Sequence, residues 1–399
     1  MPLDTRHLRE RSSASAELGT IALAGPITVE ALRDHIDGPP RELPRGLGGV
    51  PVTVLADELL ARGHRLVVTT LSRDVTDEVL ITGPNLRLHI APFRDRGRAR
   101  DGFRHERGAV TRALRRERPD VVHAHWSYEY ALGALRSGSP TLVTLHDWAP
   151  TIFGFHRDPY RAVRVGMNAA TLARGRHFST VSPYIGRAVA RWGRRATIVP
   201  NGLADHWFDG RARRRRPHAP VLVSVSSGFD VLKNGATLLR AFAHLREQHP
   251  TAELQLIGGG YRLGGPAHDW AAAQDLHEGV DFRGKLPYPE TMEAVGAADL
   301  LVHPSREESF GMTLIEAMAQ GTPVIGGADS GAVPWVLDGG RAGELADVTS
   351  SQALTAAMDR LLTDDGRWQE LSARGYEHAW TSYRLGPIAD RYLALYGAL

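Results

Sequence analysis

Hydrophobic residues in this chain fall into short runs, separated by longer stretches in which apolar residues recur at helical spacing. Short apolar runs bounded by glycine, proline or polar residues are typical of buried parallel strands, because both faces of such a strand are covered. The alternation of the two patterns predicts βα units that build parallel sheets. Predicted strands lie at 19–24, 65–69, 121–125, 141–145, 178–181, 197–200, 221–225, 253–257, 280–282, 299–303 and 323–325.

An arginine-rich stretch interrupts this alternation near the middle of the chain. Residues 211–217 are mostly arginine, which predicts a linker, and the apolar runs resume at Val221. At 399 residues the chain is too long for one ordinary core and suits two α/β domains of roughly 150–200 residues each. We therefore predict a disordered arm over 1–17, a first domain over 18–205, a linker over 206–219, a second domain over 220–379 and a C-terminal helix over 380–399.

Composition is that of an ordinary globular protein. The hydrophobic fraction is 42%, no apolar run approaches the roughly 18 residues of a membrane span, and the polar start of the chain does not resemble a signal peptide. The chain has no cysteine, which excludes disulfides and thiolate chemistry and is compatible with a cytoplasmic enzyme.

Charge is clustered although the net value is only +3. Arginine is dense over 94–118 and 211–216, and two interpretations stay open. The clusters are either a solvated helix face and a linker, or surfaces for anionic lipid headgroups or a phosphorylated acceptor. The second interpretation would add a peripheral location at the inner face of the membrane.

The stretch 304–325 carries the most chemistry. It follows a predicted strand, and a short helix is predicted from about Thr313. The amides near Gly311 and Met312 would lie at the helix N-terminus, where unpaired N–H groups and a partial positive charge favour a diphosphate.

Two glutamates bracket this predicted anion site. Glu308 and Glu316 stand eight positions apart, so they can accept hydrogen bonds from sugar hydroxyls on its two sides. The alternative is that each glutamate only completes a helix capping box, with Ser305 or Thr313 as the first residue. Capping explains either glutamate alone but not the whole run.

With these residues the chain resembles the retaining, nucleotide-sugar-dependent glycosyltransferases of family 4. Their signature has two glutamates separated by seven residues, with Phe-Gly after the first and Glu-Ala-Met-Ala-x-Gly-x-Pro-Val-Ile from the second, and the chain reproduces it without a gap. The resemblance implies the GT-B fold, with two Rossmann-like parallel-sheet domains facing across a cleft. It makes 18–205 the acceptor domain and 220–379 the nucleotide-sugar donor domain, and it lets the helix over 380–399 cross back to the first.

The resemblance also implies roles for the motif residues. Glu308 would hold the donor sugar and Glu316 the ribose hydroxyls. The diphosphate would be bound at Phe310, Gly311 and Met312, and Thr313 would also contact the nucleotide sugar.

Three further segments match the family in the expected order. The loop containing Gly48 and Gly49 would approach the donor diphosphate, since residues without a Cβ permit close backbone approach; the alternative is a simple turn. His146, at the end of a predicted strand, would lie near the reacting sugar; the alternative is a structural histidine. Backbone groups at Gly284 and Leu286 would read the base.

Lysine usage gives an independent indication. Of 48 basic residues only Lys233 and Lys285 are lysine, and a compact ammonium is not interchangeable with a guanidinium. Lys233 matches the family's diphosphate-binding lysine. For Lys285 we favour an exposed side chain.

Two positions depart from the family pattern. The family usually has Gly-Arg before that lysine, with the arginine on the phosphates, whereas residues 225–228 contain no arginine. A second carboxylate is common where this chain has Trp335. The first departure bears on donor affinity and the second on the identity of the sugar.

The sequence therefore predicts a retaining hexosyltransferase, with Glu308, His146 and Lys233 as catalytic residues. The donor would be a nucleotide diphosphate sugar, and the acceptor a hydroxyl of a glycan, lipid-linked saccharide or small molecule, with no nucleic acid involved. No Asp-x-Asp pair occurs, so we expect neither a metal nor another cofactor. Two alternatives remain, a GT-B sugar-nucleotide epimerase or hydrolase, and a catalytically inactive partner protein that binds a sugar nucleotide.

Overall fold

The structure is a computed structural model that describes residues 19–38, 42–208 and 219–399. The chain divides into two compact units. Unit 1 contains the residues up to Thr180 together with Ala188–Val199 and Gly386–Leu399, and unit 2 contains Val181–Arg187 and Pro200–Leu385. The predicted arm over 1–17 and the central part of the predicted linker, 209–218, lie outside the described residues.

Unit 1 is built on an eight-stranded sheet. Its strands are β1 (Thr20–Ala24), β2 (Arg65–Ser72), β3 (Val79–Gly83), β4 (Leu86–Pro92), β5 (Val121–His125), β6 (Thr141–Leu145), β7 (His177–Thr180) and β8 (Thr197–Ile198). The spatial order is β3-β4-β2-β1-β5-β6-β7-β8. All neighbours pair in parallel except β3 and β4, which form an antiparallel hairpin at one edge.

The helices that follow these strands are α1 (Val50–Ala61), α2 (Arg104–Glu117), α3 (Glu129–Ala134), α4 (Ala149–His156), α5 (Pro159–Arg174) and α6 (Pro183–Ala190). A 3₁₀ helix, Val29–His35, precedes α1. Helix α5 starts where the Asp158 side chain accepts a hydrogen bond from the Arg161 amide, a common N-cap.

Unit 2 is built on a six-stranded parallel sheet. Its strands are β9 (Val221–Ser226), β10 (Glu253–Gly258), β11 (Val280–Gly284), β12 (Leu300–His303), β13 (Val324–Gly327) and β14 (Glu344–Ala346), in the spatial order β11-β10-β9-β12-β13-β14. The order reverses between β9 and β12. Ligands of open α/β sheets bind beyond the carboxyl ends of the strands at such a point.

The helices of unit 2 are α7 (Gly235–Gln248), α8 (Pro266–Ala272), α9 (Tyr288–Ala297), α10 (Met312–Ala319), α11 (Val333–Val336), α12 (Ser351–Thr363) and α13 (Asp365–Tyr383). Two short 3₁₀ helices lie at Asp205–Trp207 and Asp338–Gly340. Apolar residues of β9, β10 and β12 pack against α7, α12 and α13 on one face of the sheet.

The last helix, α14 (Leu385–Tyr396), belongs to unit 1 from Gly386 onward. Its residues Ile388, Ala389, Tyr392 and Tyr396 are buried in the same apolar cluster as β1, β2 and α1. The Arg62 guanidinium in α1's cap position pairs with Asp390 at 2.6 Å. The predicted segment 380–399 thus begins in unit 2, where Tyr383 is buried, and its last fourteen residues complete the core of unit 1.

Most predicted strands occur in the structure within a few residues of their predicted bounds. Strands β3, β4 and β14 were not predicted. Over residues 19–38, 42–208 and 219–399, no helix is both long and apolar enough to cross a membrane.

Candidate functional site

The candidate site of unit 2 lies where β9 and β12, which pair in parallel, both end. The turn after β9 leads into α7, and the loop after β12 leads into α10. The two segments are joined by a hydrogen bond from the Arg306 amide to the Leu232 carbonyl at 2.9 Å. Residues separated by about seventy positions therefore meet at the reversal point of the sheet.

Side-chain hydrogen bonds fix the turn after β9. The Asp230 carboxylate accepts from the amides of Leu232 and Lys233, at 2.9 and 3.0 Å. Asn234 has a left-handed backbone, with φ 55°, and its side-chain amide donates to the carbonyls of Pro304 and Val348. Short polar side chains accept this conformation more readily than most, so the sequence Asp-x-x-Lys-Asn suits the turn.

This turn brings Lys233 into contact with Glu308. Lys233 Nζ lies 2.6 Å from Glu308 Oε1, and both side chains are more than four-fifths buried. His303 Nε2 lies 3.2 Å from the same oxygen, and the Thr313 hydroxyl lies 3.2 Å from His303 Nδ1. Burial alone would raise the pKa of Glu308, but the Lys233 ammonium and the His303 hydrogen bond outweigh it and hold that pKa well below its usual value.

Helix α10 begins next to this ion pair. Gly311 is its N-cap residue, with φ 94°, and a Cβ there would lie 2.8 Å from Leu314 Cδ1. The amides of a first helical turn have no intrahelical acceptor, so those of Met312 and Thr313 are available to an anion. The Phe310 side chain is buried against Tyr383, with ring centres 5.6 Å apart, so Phe310 can offer a ligand only its backbone.

Glu316, the second motif glutamate, has a different environment. It is buried in α10 and accepts a hydrogen bond of 2.9 Å from the Tyr288 hydroxyl. Burial raises the pKa of Glu316 to about 7, and the Tyr288 hydrogen bond only partly opposes this. The Tyr288 ring lies edge-on to Trp207, with centres 5.3 Å apart.

The end of β11 and the loop after it contain the predicted base-reading residues. Gly284 has φ 69°, its amide donates to the Tyr261 carbonyl, and a Cβ would lie 3.1 Å from Arg262 Cβ. Leu286 is half-buried against the apolar cluster of unit 2. The Lys285 side chain is exposed, as predicted.

The two departures from the family pattern have clear surroundings. Ser226 belongs to the segment without arginine, and its carbonyl oxygen would lie only 1.8 Å from a Cβ on Gly258. Packing against this segment therefore requires glycine at position 258. Trp335 is 37% exposed, and its ring lies 6.3 Å from both Phe310 and Tyr383. An aromatic surface thus stands where the family commonly has a carboxylate.

Unit 1 holds the remaining predicted residues. His146 follows β6, and its Nε2 lies 2.9 Å from His125 Nδ1. Its ring stacks on Trp126 at 4.3 Å. Burial lowers the pKa of His146 to about 3, so the imidazole is neutral at physiological pH.

The glycine loop of unit 1 is explained in part by its own chain. A Cβ on Gly49, which has φ 127°, would lie 2.3 Å from the Pro26 carbonyl oxygen. Gly48 has φ 78°, and a Cβ added there would meet no atom within 4 Å. Backbone conformation and internal packing therefore require these glycines whether or not a ligand approaches them.

The structure thus brings Lys233 and Glu308 into direct contact. Next to this pair lies α10, with Gly311 as its N-cap, Met312 and Thr313 in its first turn, and Glu316 further along the helix. His303 and Tyr288 were not predicted from the sequence. His303 could have been noticed as a histidine that ends a buried strand five residues before Glu308, whereas nothing near Tyr288 in the sequence points to Glu316. The described residues contain no group of three or more His, Asp or Glu side chains that could hold a metal ion.

Two family models cover most of the chain. The model Glycosyltransferase Family 4 matches residues 47–207, and the model Glycosyl transferases group 1 matches residues 207–378. The chain belongs to the family 4 type of GT-B glycosyltransferases. The predicted family and fold are confirmed.

Curated relatives of this chain include D-inositol 3-phosphate glycosyltransferases of several bacteria. The protein of Stackebrandtia nassauensis is 32% identical over 217 residues, which cover 51% of this chain and 48% of the relative. That of Acidothermus cellulolyticus is 30% identical and covers 68% of this chain and 66% of the relative. The match spans less than half of several of these relatives, as with 37% of the Corynebacterium kroppenstedtii protein.

Several solved structures share the fold over nearly the whole chain. Sucrose-phosphate synthase of Thermosynechococcus elongatus superposes with a TM-score of 0.77 at 23% identity, covering 95% of this chain and 98% of that one. Anabaena HepE, solved in complex with UDP and glucose, superposes with a TM-score of 0.68 at 17% identity, covering 96% of this chain and all of that one. At these identities the likeness establishes the fold.

Proposed function

We propose that the protein is a retaining glycosyltransferase that moves a hexose from a nucleotide diphosphate sugar to an acceptor hydroxyl without a metal ion. The observation that carries this proposal is the buried Lys233–Glu308 pair, 2.6 Å apart, beside the N-terminus of α10 at the reversal point of the unit 2 sheet. The pair offers a cation for a leaving diphosphate and an anion for sugar hydroxyls within one small volume.

Leaving-group stabilisation falls to Lys233 and the first amides of α10. Negative charge grows on the diphosphate as the bond to the sugar breaks, and preorganised donors in a buried site stabilise that charge strongly. Lys233 is held in place before a donor arrives, because the Asp230 turn fixes its backbone and Glu308 fixes its ammonium. The usual arginine is missing, so Lys233 is the principal side-chain cation in this proposal.

The glutamates have separate roles. Glu308 is an anion at neutral pH because its pKa is held low, and it accepts hydrogen bonds from donor-sugar hydroxyls while His303 keeps it oriented. Glu316 accepts from the ribose hydroxyls and is oriented by Tyr288. Gly284 and Leu286 contribute backbone groups to base recognition.

The transfer step is a same-face displacement. The bond between the anomeric carbon and the phosphate oxygen breaks, the acceptor oxygen bonds to that carbon on the same face, and the departing phosphate takes the acceptor proton. The neutral His146 imidazole, held between His125 and Trp126, can hydrogen-bond a sugar hydroxyl without becoming charged. Its participation in the reaction is inferred from the family resemblance.

The test starts with donor binding by the full chain. UDP-, GDP-, ADP- and dTDP-sugars are compared by thermal shift, since a ligand of the native state raises its stability by mass action. UDP-glucose is the first donor to test because HepE was solved with UDP and with UDP-glucose. The anomeric configuration of the product, read by NMR, must match that of the donor.

Other outcomes would overturn the proposal. An acceptor-independent release of free nucleotide diphosphate would indicate the hydrolase or epimerase alternative. Tight donor binding with no turnover across a broad acceptor panel would indicate the inactive binding protein. Product of inverted configuration would contradict the same-face mechanism.

A further inference from the structure

Unit 1 contains a cavity of about 290 Å³ that the roles above do not use. Its walls include Leu47 of the glycine loop and Trp126, the residue on which His146 stacks. Cavities near this volume are at the small end of ligand sites and suit a molecule of monosaccharide size. The cavity therefore adjoins the loop that the sequence associates with the donor diphosphate, and it is lined by the residue that stacks on His146, which the sequence associates with the reacting sugar.

Three arginines, Arg73, Arg98 and Arg164, line the cavity, against one carboxylate, Glu129. Two of the three guanidinium groups are already paired. Arg164 Nη1 lies 2.7 Å from Glu129 Oε2, and Arg73 pairs with Asp95.

Arg98 forms no ion pair within the described part of the chain. Its Nη1 donates to the carbonyls of Arg94 and Asp95, and its Nε is buried without a hydrogen-bond partner. Neighbouring acids are occupied elsewhere, because Asp101 and Glu106 both bind Arg94, at 2.8 and 2.7 Å. The cavity thus keeps one uncompensated positive charge.

Aromatic rings hold that charge in position. The Arg98 guanidinium carbon lies 4.6 Å from the centre of the Phe93 ring and 5.5 Å from that of Tyr160, and both rings also line the cavity. Rings of this kind pack well against the apolar face of a sugar or cyclitol ring. A buried donor without an acceptor is unfavourable, and a hydrogen bond to an anionic ligand would remove this cost.

Trp126 links the cavity to the predicted catalytic histidine. Its backbone is left-handed, with φ 62°, a conformation that costs energy for a bulky residue and persists where surrounding structure imposes it. In that conformation the Trp126 indole both lines the cavity and stacks on His146. A ring bound in the cavity would therefore lie near His146.

From this geometry we propose that the cavity binds the acceptor and that the acceptor is a phosphorylated polyol, a sugar phosphate or cyclitol phosphate, whose phosphate pairs with Arg98. The inference rests on the proposed function in assigning the ligand as acceptor, but the binding itself does not. A guanidinium fork matches phosphate geometry and binds it with charge-assisted hydrogen bonds. The aromatic walls and Glu129 would contact the ring and its hydroxyls.

The test is calorimetric binding to the full chain without donor. Glucose 6-phosphate and myo-inositol 1-phosphate are compared with glucose, myo-inositol and glucuronate. At least one phosphorylated compound should bind about tenfold or more tightly than its neutral parent, as expected for a charge-assisted contact. Equal affinity for every phosphorylated compound and its parent would overturn the proposal, and so would a preference for glucuronate over all phosphates.

Variants assign the effect to Arg98. Arg98→Gln should remove about tenfold of the phosphate affinity, whereas Arg116→Gln, an exposed arginine on α2, should change nothing. Circular dichroism and the thermal unfolding midpoint of the full chain check that each variant is folded. If Arg98→Gln does not fold, Arg98→Lys decides: it keeps the charge but not the fork and should bind more weakly than wild type, so unchanged affinity there would refute the site.

The source of the phosphate is tested with vesicles. Phosphatidylcholine vesicles with and without phosphatidylinositol are compared for binding to wild type and to Arg98→Gln. Arg98-dependent binding to the phosphatidylinositol vesicles, without binding of soluble compounds, would assign a lipid headgroup to the same site, whereas binding of neither form would overturn it. Arg98-dependent binding without any glycosyl transfer would contradict the proposed function alone, and transfer to neutral acceptors without phosphate preference would contradict the cavity assignment alone.

Discussion

Glu308 and Glu316 belong to one motif and are both buried, yet their surroundings shift their pKa values in opposite directions. At Glu308 a lysine and a histidine outweigh the cost of burial, and the pKa falls well below normal. At Glu316 the side-chain hydrogen-bond partner found among the described residues is the neutral Tyr288 hydroxyl, and burial raises the pKa to about 7. Burial therefore does not decide the charge of a motif carboxylate; the presence of a cation within hydrogen-bonding distance does.

The different pKa shifts suit the two glutamates to different tasks. A permanently charged Glu308 is suited to a step in which charge shifts, whereas a carboxyl that titrates near neutrality suits a binding contact.

Removal of the cation should have the largest effect. Lys233→Ala should lower kcat by about 100-fold or more, because the loss is felt most in the transition state where diphosphate charge develops. Lys233→Arg should rescue only in part, since a planar fork does not replace a point charge. Steady-state kinetics with a verified donor and acceptor measure both.

The control for this change is Lys285→Ala, which alters an exposed side chain and should be nearly silent. Near wild-type turnover of Lys233→Ala would mean that another cation, such as Arg262 or Arg306, stabilises the leaving group. That result would also remove the explanation for the low pKa of Glu308.

The two glutamates should separate turnover from binding. Glu308→Gln should lower kcat about tenfold or more with nucleotide affinity nearly intact, and Glu316→Ala should mainly weaken nucleotide binding by a similar factor, since each change removes a charge-assisted hydrogen bond. Kinetics and calorimetry with the nucleotide diphosphate distinguish these. Glu293→Gln, on the exposed face of α9, is the matched control; equal and mild effects of both motif changes would favour helix capping as the role of the glutamates.

Stability should depend on pH in opposite directions at the two positions. The raised pKa of Glu316 means that the unfolded chain releases this proton from about pH 4.5 upward while the native protein keeps it until about pH 7. Glu316 therefore lowers stability as pH rises through this window, and Glu316→Gln should gain up to about 3 kcal/mol relative to wild type between pH 4.5 and 8. Urea unfolding across this range measures the difference.

Glu308 should behave in the reverse sense. Its lowered pKa contributes stability that is present above about pH 4.5 and is lost as pH falls toward the folded value. Glu308→Gln should therefore be less stable than wild type at neutral pH, and the difference in unfolding free energy should shrink as the pH falls. A parallel pH dependence of the two variants would contradict the assigned charge states.

Tyr288→Phe should have a smaller effect on the same carboxyl. Loss of the hydrogen bond that lowers the pKa of Glu316 should shift the pH midpoint of nucleotide binding upward and weaken binding at pH 7 by about two- to tenfold. Calorimetry as a function of pH measures this, with Tyr376→Phe on α13 as the control. An unshifted midpoint would show that Glu316 does not govern nucleotide affinity.

Chelation should have no effect at all. Lys233 and the α10 amides stabilise the leaving group in our proposal, so EDTA should leave turnover unchanged. Activity abolished by EDTA and restored by manganese or magnesium would replace this mode of stabilisation with a metal-assisted one.

The sequence predicted the central strands because residues such as those of β1 and β12 are buried on both faces and are mostly apolar. Strands β3 and β4 escaped detection because they form an edge hairpin with only part of each strand buried. The Lys233–Glu308 contact was not predictable from spacing alone, since seventy-five residues separate its partners and the fold decides that their loops meet. The family motif placed both residues at the same site.

The parts of the site that were missed depend on tertiary packing. Tyr288 reaches Glu316 across twenty-eight residues and from another helix, and no periodicity encodes that approach. The charge state of each glutamate likewise follows from neighbours that the sequence does not reveal. The glycine loop shows the converse, because Gly49 is explained by the Pro26 carbonyl as well as by any ligand.

The course of the chain through the two units has a consequence for biosynthesis. Synthesis begins with unit 1, but part of its core emerges from the ribosome only after all of unit 2 has been made. These late core residues are Ile388, Ala389, Tyr392 and Tyr396. Chains usually fold domain by domain as they are synthesised. Here a nascent chain can complete unit 2 while unit 1 still exposes an open apolar groove, so ribosome stalling or premature termination shortly before residue 388 would yield a well-folded second unit attached to an aggregation-prone first one.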